Sequence, residues 1–290
     1  MDLLGDALVI GLTEQAPLVL AAIGFALLYR LTGLINVAYS ETVTLGAYLG
    51  MWVNTNFGAS FYGSLIPAGL LAGLVSVGTY FVVFRPAKRR NAGVLEMIII
   101  SFGLSILLRY GLQFIFGYAN RYYDVPLPGA VEIMGVGVSS FRILALVSVF
   151  ILAILISWFI QRSSYGLKIR ALASDEDLAQ VSGIRPLAVT VMIWFLAGAI
   201  GGLAGAFYGV GSSARPYLGW EEFLFILLVV LVAGSKNLRN VIVVGAVTGV
   251  ALTAVTLQFG QRLYAQLVLI VAFMLFLKWR RTRVPEMGKV

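Results

Sequence analysis

The 290-residue sequence contains no cysteine and no histidine. The absence of cysteine excludes disulfides, thiolate metal sites and cysteine nucleophiles. The absence of histidine removes the most common metal ligand and the usual general base of enzymes. A pair of carboxylates could still carry out chemistry, so the composition disfavours a catalytic or metal-binding role without excluding it.

Charge is scarce as well. Charged residues make up 12% of the chain and hydrophobic residues 60%, whereas ordinary soluble domains carry roughly 25% charged residues. The mean hydropathy is +0.94. A soluble fold of this composition would expose apolar patches larger than a monomer tolerates. The composition therefore predicts a membrane protein.

Apolar runs that approach the roughly 20 residues of a membrane-crossing helix recur along the chain. We predict an all-α, polytopic membrane protein, a single domain over 1–290 with eight or nine transmembrane helices. No basic segment precedes the first run, so we expect it to be a retained span rather than a cleaved signal. The segment around 30–56 could be re-entrant, which would leave eight spans. The expected spans lie near 5–29, 42–56, 61–84, 94–117, 142–160, 187–210, 222–234, 241–258 and 262–278.

The formal net charge of +8 is distributed unevenly among the connections between these spans. Sixteen lysines and arginines fall in one set of alternate connections and four in the other, and Arg109 lies inside a span. Because basic residues accumulate on the cytoplasmic side, the amino terminus is expected outside and the tail 279–290 in the cytoplasm. A nucleic-acid-binding protein would cluster its charge on one soluble face, so no nucleic-acid partner is expected.

Two apolar segments are too short for a full crossing. Residues 42–53 and 223–234 each offer about a dozen uncharged positions, and acidic residues precede or open them. The spans before them, 5–29 and 187–210, run in opposite directions in the expected topology. Short spans at matching places in two opposed halves indicate a possible inverted repeat around a mid-membrane pathway. The acidic residues are Glu41, Glu221 and Glu222.

The span 187–210 is rich in glycine and alanine. Small residues let helix backbones approach closely, and this contact drives helix association in lipid. We expect close helix packing here. The lining of a substrate pathway is the alternative.

The cytoplasmic connection 161–186 has more local structure than a linker needs. Ser174 is expected to cap a short amphipathic helix whose first turn is acidic, and Gly183 is expected to end it. A short exposed helix is marginal alone, so it should dock on a cytoplasmic partner or on the ends of its own spans. The residues expected to make this contact are Ser174, Asp175, Glu176, Asp177, Leu178, Gln180, Val181 and Gly183.

Three motifs occur in the same order as in one family. The first motif is the loop 165–184, with Tyr-Gly at 165–166, Arg-Ala at 170–171, Ala179 and Gly-Ile at 183–184. The second is LTGLINVAYSE at 31–41, followed by LGAY at 45–48. The third is the small-residue span at 197–209. Together they resemble the branched-chain amino acid permeases of bacterial ABC importers, over about residues 15–255. Tyr39 and Ser40 depart from the histidine and glycine usual in that family. The turn after 234–235 also departs from the family's glycine-rich pattern.

The resemblance implies an importer in the bacterial inner membrane. The loop helix would sit on one of two ATP-binding cassette subunits, a second permease subunit would complete the pathway, and an external binding protein would deliver an amino acid or similar small polar solute. The chain has no Gly-x-x-x-x-Gly-Lys-Ser/Thr sequence, so it should bind no cofactor itself; ATP and Mg²⁺ would be bound by the partner subunits.

Polar residues at membrane depth are the candidate pathway residues, because a charge there costs at least about 2.5–3.5 kcal/mol unless it faces protein or water. Glu41 could hold an ammonium or amide group, or could bond to its own helix or a neighbouring span. Arg109 could attract an anionic solute or pair with a buried acid. The full set is Asn36, Tyr39, Ser40, Glu41, Thr42, Thr44 and Arg109.

Two other functions fit part of the pattern. An ion-driven secondary carrier could use Glu41, Glu96 or Arg109, but it would not need a docking helix. A membrane-embedded enzyme could use a carboxylate pair, but acids are not clustered within any one segment. The permease of an ATP-driven importer therefore accounts for more of the sequence than either alternative.

Overall fold

The computed structural model describes residues 3–125, 129–133, 135–235 and 237–283. Within these residues, six helices are long and apolar enough to cross a membrane. Each of the nine expected spans overlaps a helix, but three of those helices fall short on length or apolarity, which is why the count is six rather than eight or nine. The six are Gly5–Thr32, Phe61–Arg89, Val94–Phe116, Ser140–Arg162, Pro186–Gly211 and Leu238–Phe259.

The chain is built almost entirely from helices, one of which has a local irregularity. The helix α3 continues through a π-helical turn, Tyr80–Phe84, into α4. The bounds are α1 Leu3–Thr32, α2 Tyr39–Phe57, α3 Phe61–Thr79, α4 Arg85–Arg89, α5 Val94–Phe116, α6 Ser140–Arg162, α7 Ser164–Ser174, α8 Glu176–Val181, α9 Pro186–Gly211, α10 Leu218–Ala233, α11 Leu238–Phe259 and α12 Arg262–Arg283. The last seven residues of the expected cytoplasmic tail, 284–290, lie outside the described residues.

A short antiparallel hairpin between α5 and α6 departs from the all-α expectation. Its strands are β1, Ala130–Ile133, and β2, Val136–Ser139. Gly135 supplies the positive φ of 83° that the turn requires. With four residues per strand, the hairpin is too short to give a clear alternating signal in the sequence.

Close backbone contacts hold the centre of the bundle together. The long helix α1 packs chiefly on α11, and α9 packs on α3 and α2. A Cβ on Gly46 would lie 2.1 Å from the carbonyl oxygen of Gly202, and one on Gly205 would lie 1.8 Å from that of Val43. The expected close packing of the small-residue span is therefore confirmed, because larger side chains at these positions would separate α2 from α9.

The outer helices expose apolar side chains instead. On α5, Leu107 is 69% and Phe114 92% exposed, and on α6 Trp158 is 62% exposed. In water such surfaces would favour association. They fit a helix that faces lipid hydrocarbon or another membrane subunit.

The two short helices α2 and α10 begin inside the bundle, and their amino ends meet. The backbone N–H of Gly219 donates to Thr44 Oγ1 at 3.0 Å. A Cβ on Gly219 would lie 1.9 Å from the carbonyl oxygen of Ser40. This contact holds the first turns of both helices together, and one acid in each, Glu41 and Glu222, is buried.

Candidate functional site

Glu41 and Arg109, expected separately as intramembrane charges, form an ion pair. Arg109 Nη2 lies 2.7 Å and Nε 3.2 Å from Glu41 Oε1. Ser105 and Ser40 donate hydroxyl hydrogen bonds to the same oxygen at 2.9 and 3.2 Å. The Glu41 side chain is fully buried and that of Arg109 is 10% exposed. Of the two roles left open for Arg109, pairing with a buried acid is the one found; each charge offsets part of the cost of burying the other.

Aromatic rings cover the other side of Arg109. Its guanidinium carbon lies 4.6 Å from the centroid of the Trp220 ring and 5.4 Å from that of Tyr217. A cation over a ring face is attracted by the ring's quadrupole. Both rings come from the start of α10, so the first turn of that helix lies over the ion pair of α2 and α5. Trp220 is 39% and Tyr217 45% exposed, which brings this cluster to the protein surface.

The other expected pathway residues are buried and hydrogen-bonded within the protein. Asn36 Oδ1 accepts from the N–H of Ala38, and the Tyr39 hydroxyl donates to the carbonyl of Ala21 at 2.8 Å. Thr42 donates to the Tyr39 carbonyl at 2.7 Å. These bonds order the break between α1 and α2. The tyrosine that replaces the family's histidine therefore ties the break to α1.

A second ion pair, which the sequence analysis did not identify as a site, lies at the start of α10. Arg262 of α12 donates to Glu222, whose side chain is 2% exposed. The Tyr208 hydroxyl lies 3.4 Å from the other carboxylate oxygen. Glu222 was noted only as a marker of the short segment. Its position early in a short helix, like that of Glu41, was the signal available for finding it.

This second pair borders a cavity of about 180 Å³. The cavity lies among residues 13–17 of α1, the start of α6, the end of α9, and the amino ends of α10 and α12. The pair of Glu14 with Arg142, at 2.7 Å, lies in its wall. Arg215 also lines it and pairs at 2.6 Å with Glu221, which lies outside the lining. The first turn of α10 contributes to both places, because Glu222 lines this cavity whereas Tyr217 and Trp220 cover Arg109.

The connection 161–186, expected in the cytoplasm, forms two helices, α7 and α8, rather than one. The capping prediction was wrong by one residue: Asp175, not Ser174, accepts the hydrogen bond from the N–H of Leu178, at 2.9 Å. Ser174 instead ends α7, because the chain is already helical from Ser164 onwards. The predicted stop is confirmed, since Gly183 has a φ of 81°.

The helix α8 has one buried face and one exposed face. Ala179 is buried, whereas Leu178 and Val181 are 65% and 87% exposed. Lys88 at the end of α4 pairs with Glu176 at 3.0 Å. The remaining residues expected to dock there, Ser174, Asp175, Asp177, Gln180 and Gly183, are exposed as well. The segment thus exposes two apolar side chains, Leu178 and Val181, among polar and charged ones.

In the part of the chain that the structure describes, histidine, cysteine and acidic side chains form no group of three or more that could hold a metal. Five of the described acids instead form ion pairs with arginine or lysine: Glu14, Glu41, Glu176, Glu221 and Glu222. The arrangement pairs the buried acids Glu41 and Glu222 with arginines and leaves most of α8 exposed.

Comparison with known proteins identifies a family and several relatives of this chain. Residues 7–277 match the family described as branched-chain amino acid transport system, permease component. The chain is 27% identical over 262 residues to the high-affinity branched-chain amino acid transport system permease protein LivH of Salmonella typhimurium, covering 83% of this chain and 82% of that protein. It is 25% identical over 300 residues to the corresponding permease BraD of Pseudomonas aeruginosa, covering 98% and 97% of the two chains. It is also 26% identical over 208 residues to the guanosine ABC transporter permease protein NupQ of Bacillus subtilis, covering 68% and 65%. No solved structure matches the chain.

Proposed function

Because this chain belongs to the branched-chain amino acid permease family, we propose that it is the transmembrane subunit of an ATP-driven importer for a branched-chain or other neutral amino acid, or a similar small polar solute. It is a multi-pass membrane protein. ATP and Mg²⁺ would be bound by two separate ATP-binding cassette subunits, a second permease subunit would pair with it, and an external binding protein would deliver the solute.

The exposed face of α8 is the observation that carries this proposal. A six-residue helix is marginal by itself, yet here it is capped by Asp175, ended by Gly183 and joined to α4 through Glu176. The order of the segment and the exposure of Leu178 and Val181 suit insertion into a groove on a partner. A secondary carrier, the alternative function, has no need of such a projection.

The amino terminus is proposed to lie outside and the carboxyl terminus in the cytoplasm. Contacts between connections support the grouping of connections by side on which this assignment depends, and the charge pattern supplies the orientation. Lys88 and Glu176 join two connections that the charge pattern places in the cytoplasm. Arg121 and Ala214 form a β-bridge between two connections placed outside. A topology that was wrong by one span would put these partners on opposite sides of the membrane.

We propose an inverted repeat that relates α1, α2, α3 and α5 to α9, α10, α11 and α12. Under this relation, the contact of α1 with α11 corresponds to that of α9 with α3, and both are extensive. The pair Glu41–Arg109 corresponds to Glu222–Arg262, each with an acid early in the short helix and an arginine from the fourth helix of its half. Such repeats form transport pathways where their short helices meet.

Alternating access would follow from movement of α8. The neighbouring helix α7 packs against α1, α6 and α9, so closure of the ATPase subunits could displace the long helices of both halves. The pathway would run between two permease subunits, along the face where Trp220 and Tyr217 cover Arg109. Because Glu41 compensates Arg109, this face suits a solute without net charge.

A reconstituted importer tests the proposal. The chain would be purified with the products of its neighbouring genes, placed in liposomes, and assayed for ATP-dependent leucine uptake and ATPase activity. Val181→Glu adds a charge to the docking face of α8 and should reduce both activities at least tenfold. Val131→Glu, the same change on the exposed strand β1, is the matched control and should leave both unchanged.

Two outcomes would contradict the proposal. Full ATP-dependent uptake in a preparation without any ATP-binding subunit would exclude the proposal that separate subunits bind and hydrolyse the ATP. Uptake by this chain alone, driven by an ion gradient, would establish the secondary-carrier alternative instead.

A further inference from the structure

An open groove runs between α3 and α9, away from both ion pairs of the short helices. Its volume is about 650 Å³. Leu74, Phe81 and Leu187 line it and are 58%, 39% and 43% exposed. Of the described residues that line it, Arg185 alone is charged, and it is exposed as well. Because Arg185 immediately precedes α9, the groove is an apolar surface that ends at a cation.

The packing of α3 on α9 fixes the shape of this groove. The Ser76 hydroxyl of α3 donates to the carbonyl of Trp194 at 2.8 Å. The Trp194 ring is buried and lies 4.8 Å from the ring of Phe84. On the groove side the lining includes the short, exposed side chain of Ala188. The groove is therefore bounded by two helices that are bonded to each other, rather than by loosely packed side chains.

A second arginine lies near the charged end of the groove. The guanidinium carbon of Arg85 is 5.3 Å from the centroid of the Phe81 ring, which lines the groove. Among the described residues, neither Arg85 nor Arg185 forms an ion pair with an acid. Both arginines lie in connections that the charge pattern places in the cytoplasm. An apolar groove that ends at two unpaired cations is complementary to an amphiphile with an anionic head.

The length of the groove suits one leaflet of a bilayer. Its lining residues run from Leu187 to Phe195 on α9, a distance of about 12 Å at a rise of 1.5 Å per residue. One leaflet contributes about 15 Å to the roughly 30 Å of membrane hydrocarbon. A lipid acyl chain could therefore lie along most of its depth within this groove while its headgroup stays at the membrane surface.

We propose that the groove between α3 and α9 binds an acyl chain of an anionic phospholipid, and that Arg185 and Arg85 bind its phosphate. Guanidinium groups form strong, charge-assisted hydrogen bonds to phosphate, and basic pockets between transmembrane helices bind anionic lipid headgroups. The site goes beyond the proposed function, because it depends neither on the solute nor on the ATPase. Since Arg185 lies two residues after Gly183, the lipid would join the segment that follows α8 to the end of α3.

Lipid titration of the full chain in detergent micelles tests the chemistry. Native mass spectrometry would measure the Kd of the first bound lipid, with phosphatidylglycerol and phosphatidylcholine of identical acyl chains as probes. Phosphatidylglycerol should bind at least tenfold more tightly, a difference of about 1.4 kcal/mol. Equal affinity for the two lipids would overturn the proposal. Displacement of the lipid by glycerol phosphate, which has no acyl chain, would also overturn it, because it would indicate a site for a soluble phosphate.

Variants separate the roles of the arginine and the groove. Arg185→Gln should weaken phosphatidylglycerol binding at least fivefold and leave phosphatidylcholine binding unchanged. Ala188→Phe fills the groove without changing its charge and should weaken the binding of both lipids at least fivefold. The matched controls are Arg162→Gln, at an exposed arginine that ends α6, and Ala272→Phe, at an exposed alanine of α12. Both controls should bind the two lipids as the parent chain does.

The remaining outcomes identify other occupants. An equal loss in Arg162→Gln would indicate general attraction of anionic lipid to basic residues and would overturn the site. Unchanged lipid binding in Ala188→Phe would exclude the groove, and a change in oligomeric mass caused by this variant would show that a second copy of the chain occupies it. Thermal unfolding checks that each variant folds, and Ala188→Leu replaces Ala188→Phe if the larger side chain prevents folding.

Discussion

The two ion pairs at the amino ends of the short helices differ in their surroundings. Glu41 receives hydrogen bonds from two serines and two from Arg109, all at one oxygen, within tightly packed protein. Glu222 receives one from Arg262, at its other oxygen a long one from Tyr208, and it borders a cavity. The arginine side chains are 10% exposed in the first pair and 38% in the second.

This difference separates a structural pair from one that can exchange its partner. Removing a charge from a tightly packed pair leaves the other without water or a substitute. A pair beside a polar cavity can take up water or a ligand group instead. The first turn of α10 touches both pairs, because Tyr217 and Trp220 cover Arg109 while Leu218 and Glu222 line the cavity.

Loss of the buried arginine should have the largest effect. We expect Arg109→Leu to lower the free energy of unfolding by about 3–5 kcal/mol, because Glu41 is left buried and unpaired. The measurement is an SDS unfolding titration of the purified chain in detergent micelles. The double variant Glu41→Leu/Arg109→Leu should recover much of the loss, since no unpaired charge remains. A single variant no less stable than Lys88→Leu, which breaks an exposed pair, would show that the buried pair is not essential.

Disturbing the contact between the amino ends of α2 and α10 should cause the next largest loss of stability. Gly219→Ala places a methyl group against the Ser40 carbonyl, where a Cβ would lie at 1.9 Å, and should cost about 1–3 kcal/mol through overpacking. Gly103→Ala is the matched control, because no atom lies within 4 Å of a Cβ there. The same unfolding titration gives both values. Equal stability of the two variants would mean that α2 and α10 are not held together at this point.

Breaking the pair Glu222–Arg262 should lower the free energy of unfolding less than breaking the pair Glu41–Arg109. Arg262→Leu should lower the free energy of unfolding by about 1–2 kcal/mol, because Glu222 can be solvated from the cavity once its partner is gone. The measurement is again the SDS titration, run beside Arg109→Leu. A loss equal to that of Arg109→Leu would remove the distinction between the two pairs.

Much of the fold could be predicted from patterns that are local in the sequence. Apolar runs located the six helices that are long and apolar enough to cross a membrane, and also α2, α10 and α12. The stop at Gly183 follows from its place after a short amphipathic stretch. The cap was misplaced because Ser174 and Asp175 are both good capping residues, and the choice depended on whether α7 already extended through 174. Local sequence does not contain that information.

The site was predicted less completely, since it depends on contacts across the fold. Glu41 and Arg109 were each recognised as costly intramembrane charges, yet their pairing joins residues 68 positions apart. Glu222 and Arg262 were not recognised as a site, because each lies near the end of an expected span, where a charge is unremarkable. Only the fold shows that both positions are at the wall of a cavity.

The smallest expected effects concern the hydroxyls that support each pair. Ser105 donates to Glu41 at 2.9 Å, whereas Tyr208 lies 3.4 Å from Glu222. Ser105→Ala should cost about 1–2 kcal/mol, because it removes a hydrogen bond to a buried charged group, whereas Tyr208→Phe should cost under about 0.5 kcal/mol, since its contact is long. Thermal unfolding of the two variants, each compared with the parent chain, measures the difference. A larger loss for Tyr208→Phe would reverse the assignment, because it would make the cavity-side pair the one that depends on its supporting hydroxyl.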